Sequence, residues 1–152
     1  MTSKLCIVAI SLFLASISFA SQNSGLIAKE SQLSFDKTLE KMEMILGKKG
    51  FKIFAKVDHS ANAKKAGLKM DASTLLIFGN PKVGTPLMKA SSSFGIDLPV
   101  KVLIYKDASG KVLVSYNNPM WLAQRHGAKN DLPQIKKMTM ALDKMTSMAS
   151  SK

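Results

Sequence analysis

"VKVLIYKDASGKVLVSY", residues 100–116, is the stretch that decides the fold. Two runs rich in Val, Leu, Ile and Tyr flank residues 107–110, where Asp107, Ser109 and Gly110 supply turn chemistry. The stretch therefore predicts a β-hairpin, and with it antiparallel pairing. Upstream, "STLLIFGN" (73–80) is short and apolar on both faces, which predicts a central strand covered on both sides. In "FKIFAKVDHS" (51–60), Phe51, Ile53, Ala55 and Val57 alternate with polar residues as in a half-buried strand, with Phe54 on the outer face. A short edge strand is expected at 26–28.

Helical periods separate these strands. From Ser34 onward, Phe35, Leu39, Met42 and Leu46 share one face. Asp36 and Glu40 come early and Lys48 and Lys49 late, and Gly50 is suited to a left-handed stop. Ser60 is the expected cap of a short helix, "ANAKKAG", that closes at Gly67. After the hairpin, Asn118 caps and Pro119 opens "MWLAQRH", which Gly127 ends. A last helix starts near Asp131 and carries Leu132, Ile135, Met138, Leu142, Met145 and Met148 on one stripe. The expected fold is thus α+β in two layers, a mixed or antiparallel sheet containing a β-hairpin and packed by amphipathic helices.

The first twenty residues stand apart. "MTSK" carries one Lys, "LCIVAISLFLASI" has secretory length, and Ser18 and Ala20 occupy the small-residue positions of a cleavage site. This predicts a signal peptide over 1–20, because the run is shorter than the roughly 20 apolar residues that span a bilayer. No other stretch is apolar enough to span. Residues 21–152 make one domain, with a core at 39–127 and a C-terminal helix at about 132–149. Cys6, the only cysteine, leaves with the signal, so the mature chain has no disulfide and no thiolate nucleophile. The expected address is outside the cytoplasm, in a bacterial periplasm.

The chain is basic, with 22 Lys and Arg against 10 Asp and Glu and a net charge of +12. Arg125 is the sole arginine, however, and base readout and bidentate phosphate recognition favour the guanidinium fork. Specific nucleic-acid binding is therefore not expected. A solvated lysine coat, with weak attraction to anionic membrane surfaces, is.

"LLIFGNPKVGTPLMKAS" (75–91) runs from a strand into a helix through two Gly and two Pro. Thr85 is the expected cap and Pro86 the expected first helical residue, a corner able to hold an anion. The spacing matches neither the dinucleotide fingerprint nor the P-loop, since Lys82 precedes Gly84.

Four motifs in register, "DHSANAKKAGL", "LLIFGNPKVGTPLM", "DLPVKVLIYKDASGKV" and "SYNNPMWLAQRHG", resemble the domain of unknown function 302 family. The resemblance implies an α+β fold, a homodimer and, in exported members, a signal sequence like this one, and it implies no established activity. The chain departs from the family pattern at Ala72, Ser73 and Thr74, at Lys106, and at Asn117–Asn118–Pro119. The last two departures each lack a carboxylate, which puts in doubt any family role that needs negative charge there.

Two histidines can titrate near neutrality, His59 after Asp58 and His126 after Arg125. They lack zinc-motif spacing and cannot fill a four-coordinate site alone, so no metal ligands are assigned. "MEM" (42–44) and "MTM" (138–140) invite a copper reading, but residues two apart on a helix point to different sides, which favours core packing. Trp121 and Tyr116 can line a haem pocket or simply cover the sheet. No nucleophile elbow or paired acidic motif assigns catalytic residues. The expected function is non-catalytic binding of a small anionic ligand in one electropositive recess formed by His59, Asn80, Lys82, Thr85, Asn117, Arg125 and His126. The alternatives are an enzyme using a His general acid–base and an envelope metal or haem carrier. Cofactors are unknown at this level.

Overall fold

In the computed structural model, which describes residues 25–152, the hairpin forms the middle of a five-stranded antiparallel sheet. The chain order is β1 (Leu26–Glu30), α1 (Phe35–Lys48), β2 (Lys52–Asp58), α2 (His59–Lys65), β3 (Ser73–Gly79), α3 (Pro81–Ala90) and a 3₁₀ turn (Ser92–Ile96). β4 (Val100–Lys106), β5 (Val112–Asn117), α4 (Pro119–Arg125) and α5 (Pro133–Ser150) complete it. In space the strands run β1-β5-β4-β3-β2, so the open sheet has edges at β1 and β2. The signal peptide expected over 1–20, and Cys6 with it, lie outside the described residues.

The hairpin turn is held by Asp107, whose Oδ1 accepts from the amides of Ser109 and Lys111 and from the Ser109 hydroxyl. Gly110 takes φ 82°. The Ser109 hydroxyl bond, joined by these amides, holds the Asp107 carboxyl below its ordinary value. Each register then follows from the pleat. Val102, Ile104, Val114 and Tyr116 point to one face, together with Leu76 and Phe78 from β3, and there meet Leu39, Met42 and Leu46 of α1 and Ile135, Leu142 and Met145 of α5. Burial pushes the Tyr116 phenol above its ordinary pKa. Lys29 of β1 ties this layer to α5 through Asp143 Oδ1 (2.6 Å) and Ser147 Oγ (2.7 Å).

Several local details differ from expectation. A bulge between Ile53 and Ala55 leaves Phe54 unpaired, so Ile53 faces the helices while Ala55 and Val57 face away. Beyond Ser73, β3 is fully buried only on its helix side, since Leu75 and Ile77 are just half-buried on a two-layer sheet. It is an interior strand beside β4 rather than the middle one. α2 is capped by Asp58, not Ser60: the Asp58 carboxylate accepts from the Ala61 amide and the Ser60 hydroxyl, and the helix starts at His59, two residues earlier than expected. α5 opens at Pro133, with Leu132 at the cap position and no side-chain cap. Met148 is 41% exposed and Ala149 takes the buried place, because three- and four-residue steps from Ile135 through Met138, Leu142 and Met145 lead to 149.

Gly25 enters β1 at φ 68°, and an added Cβ would overlap the Trp121 ring. Gly25→Ala is expected to cost about 2 kcal/mol or more in unfolding free energy, from left-handed strain together with displacement of the indole. Urea titration followed by Trp121 fluorescence checks it. An unchanged midpoint and spectrum would show that the ring tolerates the methyl group.

Candidate functional site

α3 begins five residues earlier than expected. Asn80 is the cap, its Oδ1 accepting from the Lys82 amide at 2.9 Å, and Pro81 takes the first helical position. Asn80–Pro81 and Thr85–Pro86 satisfy the same local rule, and the pair nearer the strand end nucleates the helix. Thr85 and Pro86 consequently lie inside α3. The two glycines serve close approach rather than positive φ. A Cβ on Gly79 would meet the Pro99 side chain at 3.4 Å, and one on Gly84 would meet Leu98 at 3.6 Å. The segment 98–99, which contains a cis Leu98–Pro99 peptide, therefore lies flat against this corner.

Between the corner, the bulged end of β2 and α5 there is a cavity of about 360 Å³. Phe54, Phe78, Leu87, Leu98, Met138 and Leu142 form much of its wall. Asn80 and Thr85 also line it, and Lys137 is the single charged lining residue, exposed on its helix. The bulge explains why Phe54, 48% exposed, takes part: the unpaired residue swings its ring to the cavity wall.

Arg125 and His126 lie on the other side of the same segment. His126 closes α4 with its side chain only 4% exposed, and its Nε2 lies 2.7 Å from Asp97 Oδ2. A carboxylate only accepts, so Nε2–H donates; in the neutral ring Nδ1 is then the acceptor, and it lies 2.8 Å from the Ser93 hydroxyl. Ser91 Oγ lies 3.0 Å from Ser93 Oγ, and the Phe94 ring lies 4.5 Å from the imidazole, centroid to centroid. Arg125 reaches Asp97 at 3.4 Å and lies over the Trp121 ring at 5.6 Å.

The seven residues expected to converge are thus divided. Asn80 and Thr85 line the cavity, and Arg125 and His126 share Asp97. His59 is exposed at the start of α2, the Lys82 side chain is exposed, and Asn117 sits at the end of β5 opposite Leu26. None of these three lines the cavity. Ser93, Asp97 and Lys137 are the functional candidates that sequence patterns missed. Among the described residues there is no cluster of three or more His, Cys, Asp or Glu side chains that could hold a metal ion. Met42 and Met138 are buried while Met44 and Met140 are exposed, so the members of each pair point to different sides. Trp121 packs against Gly25 and Arg125.

The family model described as "Domain of unknown function DUF302" matches residues 27–148. The chain belongs to the DUF302 family. The match takes in β1 and most of α5, more than the 39–127 core marked by the motifs. The crystal structure of an uncharacterized conserved DUF302 protein from Bacillus stearothermophilus is similar at a TM-score of 0.67 and 17% identity, over 84% of this chain and 96% of that one. That likeness establishes the shared DUF302 fold. Among curated proteins, the chain is 42% identical over 129 residues to "Fluoride-specific ion channel FluC 1" of Brucella suis and to the protein of that name from Brucella abortus. The aligned region is 84% of this chain but 50% and 47% of those proteins, so the chain spans about half the length of the curated relatives it matches. Among the described residues no helix is long and apolar enough to cross a membrane.

Proposed function

We propose that the protein is an exported, homodimeric binding protein whose cavity takes a small amphipathic acid. The observation that carries this reading is the cavity itself, about 360 Å³ with walls of Phe, Leu, Met and Pro and one cation, Lys137. Burying a hydrocarbon body there gains roughly 25 cal/mol per Å² of apolar surface. The Lys137 ammonium can meet an acidic head while its stem lies along the wall. Among the described residues, Thr85 and Lys137 are the lining side chains with nucleophilic groups and no histidine stands beside them as a base, so binding rather than reaction is what the space supports. The expected small anion thus becomes an acid with an apolar body.

Export rests on the leader pattern of residues 1–20. Self-association is supported by the sheet face turned away from the helices, where Val57, Leu75, Ile77, Leu103, Tyr105 and Leu113 are only half-buried. The relatives named as fluoride channels extend well beyond the part this chain matches. The matched part here is an open sheet with helices too short or too polar to span.

Titration calorimetry with dodecanoate tests the cavity. One site per chain is expected. Lys137→Ala should weaken dodecanoate about fivefold, the ~1 kcal/mol of a solvent-exposed ion pair, without weakening dodecanol. Ala141→Trp should abolish binding of both. Absence of saturable binding, or dodecanoate affinity indifferent to Ala141→Trp, overturns the proposal.

A further inference from the structure

We propose that Ser93 is a nucleophile activated by His126, and that this hydroxyl accepts the acyl group of small activated esters. The three residues make a chain of two hydrogen bonds: Ser93 Oγ to His126 Nδ1 at 2.8 Å, and His126 Nε2 to Asp97 Oδ2 at 2.7 Å. The arrangement is defined by role: a hydroxyl on a base whose other nitrogen is oriented by a third, buried group. Asp97 is 9% exposed and the His126 side chain 4%, so the base and its positioning carboxylate are shielded from water. Phe94, fully buried, packs its ring on the imidazole and fixes its plane.

Ser93 itself is exposed. A structural clamp between α4 and the segment before β4 needs only the Nε2 bond to Asp97. Nδ1, shielded with the rest of the ring, is met by the hydroxyl of a surface serine, the one member of the chain open to solvent. Ser91 is placed to donate to Ser93 Oγ while the Ser93 proton points to the base. Ser92, Gly95 and Ile96 are exposed around it, Ile96 at 70%. An ester is therefore met from open solvent beside one apolar side chain, and its acyl group is small or terminal. The inference does not rest on the cavity, since none of Ser93, Asp97 and His126 lines it.

In the first step Ser93 Oγ forms a bond to the ester carbonyl carbon while its proton passes to His126 Nδ1. The tetrahedral adduct collapses, the bond from carbon to the leaving oxygen breaks, and that oxygen takes the proton from Nδ1 and departs as an alcohol. The acyl group is left on Ser93. Water, giving a proton to the same nitrogen, adds to the acyl carbon; the bond to Ser93 breaks, Ser93 recovers the proton, and the acid is released. Asp97 remains a carboxylate throughout and orients the ring.

The test exposes the folded full chain to p-nitrophenyl acetate and, separately, to an alkyl fluorophosphonate, and reads intact mass and the modified peptide. A single adduct on Ser93 is expected with each reagent. Ser93→Ala, a change at an exposed position, should carry none. His126→Gln should slow fluorophosphonate labelling about 10²- to 10⁴-fold, the usual contribution of a positioned base. Asp97→Asn reads the same dependence if His126→Gln fails to fold. An unmodified wild-type protein, an equal adduct yield in Ser93→Ala, or a labelling rate in His126→Gln or Asp97→Asn equal to wild type overturns the proposal.

Discussion

Asp97→Ala is expected to lower the unfolding free energy by about 3 kcal/mol, because it strands a buried donor. The His126 side chain is 4% exposed and gives its Nε2–H to Asp97 at 2.7 Å; with the carboxylate gone, that N–H has no acceptor and little water. A charge-assisted bond and the desolvation of the orphaned group account for most of the loss. Arg125 adds little, being 47% exposed with its contact at 3.4 Å, where solvent screens the attraction to a few tenths of a kcal/mol. Asp97→Asn keeps a carbonyl oxygen for Nε2–H and should cost about 1 kcal/mol, the ordinary value of a neutral bond. Urea denaturation of both variants gives the comparison. Losses of equal size, or a loss below about 1 kcal/mol for the alanine variant, would show that the cluster does not hold α4 to the segment ahead of β4.

This cluster was the least legible part of the sequence. His126 and Arg125 stand out as scarce residue types, but their partner Asp97 lies 29 and 28 residues away in "SSSFGIDLP", which has the composition of a loop. A lone acid between Ile96 and Leu98 was the available signal, since a carboxylate among apolar neighbours must find a donor when the segment is buried. The hairpin and α1 were legible because their determinants are local. Asp107, Ser109 and Gly110 build the turn by themselves, and Ser34, Gly50 and the face of Leu39, Met42 and Leu46 mark one helix from end to end.

Boundaries failed where two local solutions competed. Asn80–Pro81 and Thr85–Pro86 both start helices, and tertiary packing of Leu87 and the contact of Gly84 with Leu98 are satisfied by the earlier one. The bulge at Phe54 left only the trace of an apolar residue out of phase, which alternation alone reads as an outward ring. That one extra residue turns Phe54 toward the cavity and sends Ala55 and Val57 to the opposite face. The apolar character of β3 on both faces has a related origin. One face fills the core, while Leu75 and Ile77 contribute to a surface that no sequence period distinguishes from a second helix layer.

Phe78→Ala should destabilise the protein by about 4 kcal/mol, the largest loss anticipated from a single core substitution here. Phe78 is 1% exposed, meets the Phe51 ring edge-on at 5.7 Å between centroids, and forms part of the cavity wall. Removing its ring deletes apolar contact on the Phe51 side, while the strands on either side, β2 and β4, limit collapse into the gap. The existing cavity of about 360 Å³ therefore grows rather than closes. An apolar solute that fills the enlarged space restores stability by mass action, so toluene should raise the thermal midpoint of the variant more than that of the parent chain. Urea titration measures the loss and calorimetric scanning with and without toluene the recovery. A loss under about 1 kcal/mol would mean the ring's place is readily refilled, and equal toluene responses would mean the space it vacates does not join the cavity.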